Sequence, residues 1–411
     1  MQLLKKNYSQ LIIYFILLFL IGTQAALGQN KVKELQTNLD EIVKSVSCDV
    51  SVIVMSAEKF DLLYEYNHDS KMIPASITKI VTAGAALNKL GAGYQFKTVV
   101  YTDDNNLSDG VINGNIYLKG YGDPDFSTSD IESLAKQIAA FNVNSITGNI
   151  IYDESYLDDD YNSLAGYYQS DTDPKYWPYV TALSLDKNKG NSDPAALCGN
   201  ILSEELSILN IGFNGIVISG TTPKAAKEIG KVTRSISSVL SHMNKVSDNQ
   251  SAITVFKVIG AELKGAPGTL EKGAEVVIEF LTTIGVDRKA FEILEGSGLT
   301  RYNYVTGPMY MQLMKYFYDD IKNFDIFYQS LAVSGVDGTL KSRMKGTEAE
   351  TNVHAKTGTL NYVSSLSGYA VSRDNELLMF YIVMNGFREK SDIYRKKQDV
   401  ICDILCKFSR N

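Results

Sequence analysis

The stretch "MIPASITKI", residues 72–80, contains the serine on which the interpretation of this chain depends. Ser76 and Lys79 stand three residues apart, just after Pro74 and at the head of an apolar run with helical spacing. The same Ser-x-x-Lys spacing recurs in three other pairs: Ser56/Lys59, Ser133/Lys136 and Ser184/Lys187. Sequence patterns place the first of these in the turn of a strand hairpin, the second on a helix surface and the third in strand-like surroundings. Only the pair in residues 72–80 opens an apolar helix.

Two further short motifs follow that pair in order along the chain. Ser247-Asp248-Asn249 lies at a predicted break between two helices, and Lys356-Thr357-Gly358, which occurs once, lies on the edge of a predicted sheet. Each residue has a simpler interpretation by itself: a helix N-cap for Ser76 and for Ser247, and an ordinary strand-edge lysine for Lys356. The ordered occurrence of all three motifs, each in the context that it requires, favours a catalytic site.

The chemistry of such a site explains the first pair. A serine hydroxyl is a poor nucleophile and needs a base, and Lys79 lies on the same helical face as Ser76. A lysine acts as a base only if burial or a second cation lowers its pKa, and Lys356 is a candidate for that cation. Backbone N–H groups at Ser76 and on the strand at Thr359 are candidates for an oxyanion hole.

The other two motifs suit the binding of a peptide-like substrate. The Ser247 hydroxyl is placed to pass a proton between the lysine base and a leaving amine, and the Asn249 amide to hold a peptide group. Lys356 with Thr357 suits a substrate carboxylate, and Gly358 lets a ligand approach the strand closely.

From about residue 45 to its C-terminus the chain resembles the penicillin-binding D-alanyl-D-alanine carboxypeptidases and endopeptidases of the low-molecular-mass class C type, peptidase family S13. Besides the motifs, the resemblance rests on segments in family order: "PASITK", "GYGDPDF", "ALSLDKN", "MNKVSDNQSA", "LEGSGLTRYN", "LAVSGVDGTLKSR" and "AKTGTL". It implies a penicillin-binding-protein/β-lactamase-like transpeptidase fold. It also implies that Ser76 is the acylated nucleophile and Lys79 its base.

The resemblance also implies residues around the substrate. Arg301 would line the pocket for the free end of a substrate side chain, with a structural ion pair as the alternative role. An acidic residue of the inserted region would face the same pocket, and the candidates are Asp158, Asp159 and Asp160. The chain departs from the family pattern at Glu295, where Asp is usual, at Ile77, where Thr is common, and in a shorter insert, which leaves substrate preference open.

The predicted fold class is α/β of the α+β type, an antiparallel sheet flanked by helices with an inserted β-rich module. We expect residues 29–95 and 236–411 to form the serine DD-peptidase domain, and residues 96–235 to form the insert.

The first 28 residues are typical of a secretory signal peptide. Lys5 and Lys6 precede the apolar stretch 11–22, and Ala26-Leu27-Gly28 offers a cleavage site. Twelve apolar residues are short for a membrane span, which needs about 20, although an uncleaved signal anchor is the alternative. The expected location is therefore periplasmic or otherwise extracytoplasmic, with peripheral membrane contact left open.

Composition excludes several classes of protein. Removing the two lysines of residues 1–28 takes the net charge from −7 to −9, which argues against nucleic acid as the main partner. The three histidines are scattered and no Cys-x-x-Cys occurs, so we expect no metal site and no cofactor.

Four cysteines, Cys48, Cys198, Cys402 and Cys406, allow three complete disulfide pairings. Cys402 and Cys406 lie four apart in a predicted helix, which is poor geometry for bonding each other. Cys48 could meet one of them if the chain ends pack together, and free buried thiols are the alternative.

The sequence thus favours an exported serine-type D-Ala-D-Ala carboxypeptidase or DD-endopeptidase that acts on peptidoglycan stem peptides and is acylated by β-lactam antibiotics. A β-lactamase is an alternative, but no Glu-x-x-Leu-Asn motif occurs between Asn249 and Lys356. A non-catalytic β-lactam-sensing or cell-wall-binding protein of the same fold is the other alternative.

Overall fold

The computed structural model describes residues 30–106, 110–162, 176–188 and 192–411. Within these ranges the α-helices are α1 (30–43), α2 (Thr78–Leu90), α3 (Thr128–Ala139), α4 (Pro194–Ile208), α5 (Ile236–Lys245), α6 (Asn249–Lys264), α7 (Leu270–Thr283), α8 (Gly307–Asp319), α9 (Phe324–Ser330) and α10 (Ser391–Lys407). Short 3-10 turns lie at Ala75–Ile77, Asp186–Asn188, Arg288–Ala290 and Gly338–Leu340.

The strands of the same ranges are β1 (Asp49–Ser56), β2 (Leu62–Tyr66), β3 (Gln95–Thr102), β4 (Val111–Ile112), β5 (Ile116–Gly120), β6 (Ser145–Ile146), β7 (Ile150–Asp153), β8 (Gly212–Phe213), β9 (Val217–Ser219), β10 (Lys227–Ser235), β11 (Ala332–Val333), β12 (Val353–Leu360), β13 (Val363–Val371) and β14 (Leu377–Asn385).

The main sheet has six antiparallel strands in the order β11-β12-β13-β14-β1-β2. Its central strands are buried on both faces, so β14 reads as the continuous apolar run "LLMFYIVMN". Alternate residues of β14 face two separate hydrophobic clusters: Met379, Tyr381 and Val383 face one, and Leu378, Phe380, Ile382 and Met384 face the other.

Helices cover both faces of this sheet. The first cluster takes apolar residues from α2 and α5 to α9, and the second takes them from α1 and α10. The expected antiparallel sheet flanked by helices is therefore confirmed.

Residues 95–235 build two smaller sheets. One has five strands in the order β10-β3-β5-β7-β9, antiparallel from β10 to β5 and parallel from β5 to β9. The other has three short parallel strands, β4-β6-β8. A third hydrophobic cluster joins these strands to α3 and α4. This separate core supports the division at residues 96 and 235, which we retain as a proposal.

Two features of the insert differ from the expectations. Helix α4 was not predicted; it packs on β7 and β9, because parallel strands need a covered face. Ser184 and Lys187 do not lie in a strand: Lys187 belongs to the 3-10 turn Asp186–Asn188, whose backbone is held by Asn188.

The four cysteines are free thiols. Cys48, Cys402 and Cys406 do pack in one hydrophobic cluster, so the chain ends meet as expected, but the bond considered for Cys48 is not formed. The free-thiol alternative therefore describes this chain.

The predicted signal peptide, residues 1–28, lies outside the described residues. Among the helices that are described, none combines the length and the apolar character needed to cross a membrane.

Candidate active site

Ser76 lies in the 3-10 turn Ala75–Ile77, directly before α2. The sequence predicted a helix beginning at Pro74; the structure places this tighter turn between Pro74 and α2, with Ala75 in a left-handed conformation (φ 51°). The Thr78 hydroxyl donates to the Ala75 carbonyl at 2.8 Å and closes the turn. The nucleophile candidate therefore stands on a constrained backbone.

Lys79 is fully buried, and its amine is held by three acceptors. The Nζ atom donates to Ser76 Oγ at 3.1 Å, to Asn249 Oδ1 at 2.7 Å and to the Ser297 carbonyl at 2.7 Å. An ammonium group has three donors, so this set satisfies it completely. The structure thus brings Ser76 and Lys79 together. Asn249 of the second motif contacts the same amine, although it lies 170 residues from Lys79 in the sequence.

Burial lowers the pKa of Lys79 to about 8, while the charges of Glu295 and Asp248 act in the opposite direction. Of the two causes anticipated for this lysine, burial is the one that lowers its pKa. Lys356 is also fully buried, and burial, followed by the charge of Lys79, holds the pKa of Lys356 well below its usual range.

The second motif forms the break between α5 and α6. Ser247 has a left-handed backbone (φ 62°), and Asp248 caps α6 by accepting from the Ser251 N–H at 2.6 Å. Ser247 lines the same cavities as Ser76, whereas Asn249 is the residue of this motif that contacts Lys79.

The third motif lies on β12, which passes beside Ser76. A Cβ on Gly358 would sit 2.1 Å from Ser365 Oγ, 2.8 Å from the Pro74 carbonyl and 3.0 Å from the Ser76 nitrogen, so only glycine fits there. Lys356 Nζ donates to the Thr357 carbonyl at 2.8 Å. The sequence-predicted glycine therefore permits the strand to approach the serine.

The outer edge of β12 is only partly covered. Strand β11 pairs with Ala355 and His354, so among the described residues the segment 356–360 has no strand beyond it. Thr359 is exposed there. An exposed edge of this kind can take a further extended peptide.

Two cavities meet at Ser76. One, of about 690 Å³, is lined by Ser76, Tyr176, Ser247, Asn249, Leu299, Thr359 and Leu360, among others. The second, of about 680 Å³, is lined by Ser76, Ser247, Thr339, Thr357, Thr359 and Arg395, among others. Candidate residues of all three motifs therefore face shared space.

Arg301 lines a neighbouring cavity of about 790 Å³ rather than either cavity at Ser76. Its guanidinium donates to the Asn361 carbonyl, and Asn361 itself lines the cavity at Ser76. Arg301 is thus next to the site, held by a backbone contact.

The three acidic candidates of the insert are not among the residues lining these cavities. Asp158 pairs with the fully buried Lys257 of α6 at 2.6 Å, and the Asp160 carbonyl accepts from the same amine at 2.8 Å. Asp158 and Asp160 thus join the insert to α6.

Glu295 is a residue of the site that the sequence reasoning noted only as a departure. Its buried carboxylate accepts from the Ser297 N–H and hydroxyl, both at 2.6 Å, and from the Gly298 N–H at 2.7 Å. These bonds fix the loop whose Ser297 carbonyl receives Lys79. The available signal was an acidic residue directly before Gly-Ser-Gly.

Lys187 is a second residue near the site that the sequence reasoning passed over. Its strand-like surroundings predict no role in the site, yet its amine donates to Ser251 Oγ in the first turn of α6 at 2.8 Å. The signal that could have found it was the segment "ALSLDKN".

A family model described as D-Ala-D-Ala carboxypeptidase 3 (S13) matches residues 35–192 and 190–405. The chain is 27% identical over 458 residues to a D-alanyl-D-alanine carboxypeptidase of Actinomadura sp. (strain R39), covering 89% of this chain and 84% of that protein.

Solved structures have the same fold. Penicillin binding protein 4 (dacB) from Haemophilus influenzae gives a TM-score of 0.77 at 21% identity, over 90% of this chain and 99% of that one. The same Haemophilus protein complexed with a β-lactam gives a TM-score of 0.73 at 20% identity, over 91% of this chain and 99% of that one. The expected penicillin-binding-protein-like fold is confirmed.

Proposed function

The chain belongs to the D-Ala-D-Ala carboxypeptidase 3 (S13) family, and from this premise we propose that it hydrolyses the terminal D-Ala-D-Ala bond of peptidoglycan stem peptides through an acyl-enzyme on Ser76. The observation that carries the proposal is the Lys79 amine, 3.1 Å from Ser76 Oγ with a pKa lowered by burial to about 8. An amine with that pKa is neutral in roughly one molecule in ten at pH 7, so a base is available to the serine.

Acylation begins when Ser76 Oγ attacks the carbonyl carbon of the penultimate D-alanine. The hydroxyl proton passes to the neutral Nζ of Lys79, and the carbonyl oxygen becomes an oxyanion that the N–H groups of Ser76 and Thr359 stabilise. The C–N bond then breaks. The terminal D-alanine leaves as an amine, protonated from Lys79 by way of the Ser247 hydroxyl, and an ester on Ser76 remains.

Deacylation uses the same groups with water in place of the leaving amine. Water attacks the ester carbonyl while Lys79 again takes a proton, the C–O bond breaks, and Ser76 regains its hydrogen. The products are the shortened stem peptide and the free enzyme.

The substrate is proposed to bind as an extended strand along the unpaired edge of segment 356–360 of β12. Because Asn249 Oδ1 accepts from Lys79, the NH₂ half of this amide is left for a substrate carbonyl. Thr357, which lines the second cavity, is proposed to receive the substrate carboxylate together with the adjacent, fully buried Lys356. Arg301, beside the cavity, is proposed to meet the free end of the substrate side chain.

Two finer properties belong to the same proposal. A D-Ala cross-link carries the same scissile carbonyl, so DD-endopeptidase activity requires only that the cavities accept the second stem peptide. A β-lactam carbonyl would acylate Ser76 and leave an ester that hydrolyses slowly. Export through residues 1–28 would bring the enzyme to its substrate.

Covalent labelling with fluorescent penicillin tests the nucleophile. We expect the wild-type protein to be labelled and Ser76→Ala to give no label. Ser133→Ala, which alters another Ser-x-x-Lys pair on α3, is the matched control and keeps wild-type labelling. An unlabelled wild-type protein, or equal labelling of Ser76→Ala, would contradict the proposal.

Release of free D-alanine from a peptide ending in D-Ala-D-Ala tests the activity itself. A protein that labels but releases no D-alanine is a β-lactam-sensing binder, and one that turns over penicillin rapidly is a β-lactamase. Digestion of cross-linked and uncross-linked muropeptides then separates endopeptidase from carboxypeptidase activity.

A further inference from the structure

The loop 184–188 of the insert contacts the first turn of α6 through both members of the fourth Ser-x-x-Lys pair. Ser184 Oγ accepts from Gln250 Nε2 at 2.9 Å, and Lys187 Nζ donates to Ser251 Oγ at 2.8 Å. Ser184, Gln250 and Ser251 are all buried. Asn249, the residue directly before Gln250 and Ser251, belongs to the second motif, so the insert contacts the helix turn that carries it.

Lys187 also lies between two carboxylates. Its amine pairs with Asp125, in the segment that follows β5, and lies 3.7 Å from Oδ1 of Asp248, the N-cap of α6. The Lys187 amine therefore links two segments of the insert to Asp248, the residue directly before Asn249.

The backbone of this loop is held in an unfavourable conformation. Asp186, Lys187 and Asn188 have φ values of 44°, 64° and 53°, and three consecutive left-handed residues without glycine are costly. The Asn188 side chain retains the turn by accepting from the Leu185 N–H at 2.8 Å and donating to the Tyr179 carbonyl at 2.9 Å. Such strain persists where the surrounding contacts fix one geometry.

We propose that loop 184–188 is a positioning element of the active site, in which Lys187 sets the place of the α6 N-terminus and thereby of Asn249 against Lys79. This inference rests on the proposed function. Asn249 Oδ1 accepts from Lys79 at 2.7 Å, so a displacement of the first turn of α6 moves a partner of the catalytic base. The insert is then a working part of the site and not only an attachment to it.

The charge of Lys187 gives this role a signature in pH dependence. The charges of Glu295 and Asp248 raise the pKa of Lys79, and the charge of Lys79 in turn lowers that of Lys356. Asp248 is itself faced by Lys187 and His242. Without Lys187 the negative charge of Asp248 is less compensated. The pKa of Lys79 then rises, and a higher pH is needed to make its amine neutral.

The test is the second-order rate constant for acylation by a fluorescent penicillin, measured from pH 5 to pH 9 on the full protein. Lys187→Met should lower it by about 10- to 100-fold, the range that an ångström-scale misplacement produces. Its acidic limb should also move to higher pH by roughly half a unit. Lys187→Arg keeps the charge, so its acidic limb should stay at the wild-type pH.

Lys136→Met is the matched control, because Lys136 belongs to another Ser-x-x-Lys pair and is exposed on α3. It should match the wild type in rate and in profile. Ser184→Ala removes the Gln250 contact, together with the bonds of Ser184 Oγ to the Thr181 carbonyl and to Asn188 Nδ2. It leaves the charge of Lys187 in place, so a lower rate without a pH shift is expected.

The inference is overturned if folded Lys187→Met acylates at the wild-type rate with the wild-type profile. If Lys187→Met is not recovered as folded protein, Ser184→Ala decides in its place, and a wild-type rate there overturns the inference. Failure of the wild type to be acylated is a separate result that rejects the proposed function.

Discussion

Burial and the charged groups around Lys79 have opposite effects on its pKa. Burial lowers its pKa to about 8, and the Glu295 and Asp248 carboxylates raise it. In the proposed mechanism Lys79 must be neutral to accept the Ser76 proton, so this balance sets the pH at which Ser76 would react.

We expect acylation of the wild type to rise with pH up to about 8, as Lys79 loses its proton. Glu295→Gln removes a charge that raises the pKa of Lys79, so its acidic limb should move to lower pH, opposite to that of Lys187→Met. Stopped-flow acylation by a chromogenic β-lactam across this pH range measures both limbs.

The same variant should cost stability. The two carboxylate oxygens of Glu295 accept from backbone N–H groups, and in Gln one of these oxygens is replaced by an NH₂ group, which is a donor. The lost hydrogen bond should lower the free energy of unfolding by about 1–3 kcal/mol. Urea denaturation monitors this loss. An acidic limb that moves upward, or not at all, in folded Glu295→Gln would contradict the role given to its charge.

At this scale the sequence predicted side chains better than backbone partners. Ser76, Lys79 and Asn249 are together as their motifs suggest. No motif predicts that the Ser297 carbonyl accepts from Lys79. Every residue carries the same backbone acceptor, and the fold determines which one meets the amine. Ser247 lines the cavity at Ser76, but Asn249 is the residue of its motif that bonds Lys79.

Strand β12 depends on the absence of a side chain at one position. Gly358 lies against the Pro74 carbonyl and the Ser76 nitrogen, so the distance between the strand and the 3-10 turn is set by a bare Cα.

We expect Gly358→Ala to separate these two elements. The added methyl group would meet backbone atoms of residues 74 and 76, which costs about 1–3 kcal/mol of stability and misplaces Ser76 relative to the strand. Acylation should fall by about 100-fold, a loss measured by penicillin labelling over time.

Two controls separate strain at the site from general effects. Gly93→Ala adds the same methyl group where no atom lies within 4 Å, so both stability and acylation should stay near wild type. Thr269→Ala removes the N-cap of α7, which should cost about 1 kcal/mol and leave acylation unchanged. If Gly358→Ala is acylated by penicillin as fast as Thr269→Ala, the close approach of β12 to Ser76 does not contribute to acylation.

The predicted antiparallel sheet was found where the local apolar pattern is strong. Strand β14 is a continuous apolar run, and β13 beside it is buried along almost its whole length. Helix α4 and the turn Asp186–Asn188 escaped because tertiary contacts override local pattern there: α4 covers parallel strands, and the turn is held by Asn188.

The whole molecule is held without disulfides. All four cysteines are thiols, and burial raises the pKa of Cys48 to about 11 and that of Cys406 to about 12. High thiol pKa values slow oxidation, because the thiolate is the reactive form.

Reduction should therefore leave thermal stability unchanged. We expect the same melting temperature with and without dithiothreitol, and four reactive thiols in the unfolded protein by thiol titration. A lower melting temperature on reduction, with fewer than four titrated thiols before it, would reveal a disulfide among them.

The overall architecture was predictable because three spaced motifs and their contexts indicated one fold, now matched by solved structures. The mixed sheets of the insert were not, since strand order within a sheet depends on long-range pairing. The contact between the insert and α6 was harder still to predict from the sequence. Lys187 lies in a loop, where no hydrophobic periodicity indicates which way a side chain points.

Strand β1, near the start of the chain, pairs with β14 along its whole length, and β14 ends at residue 385. A chain that is made N-terminus first cannot close this sheet until almost all of it has been synthesised. Residues 95–235 hold a core of their own and can fold while the rest is still arriving. We therefore expect the proposed activity to appear late in biogenesis: a chain truncated before β14 should contain Ser76 but should not be labelled by penicillin.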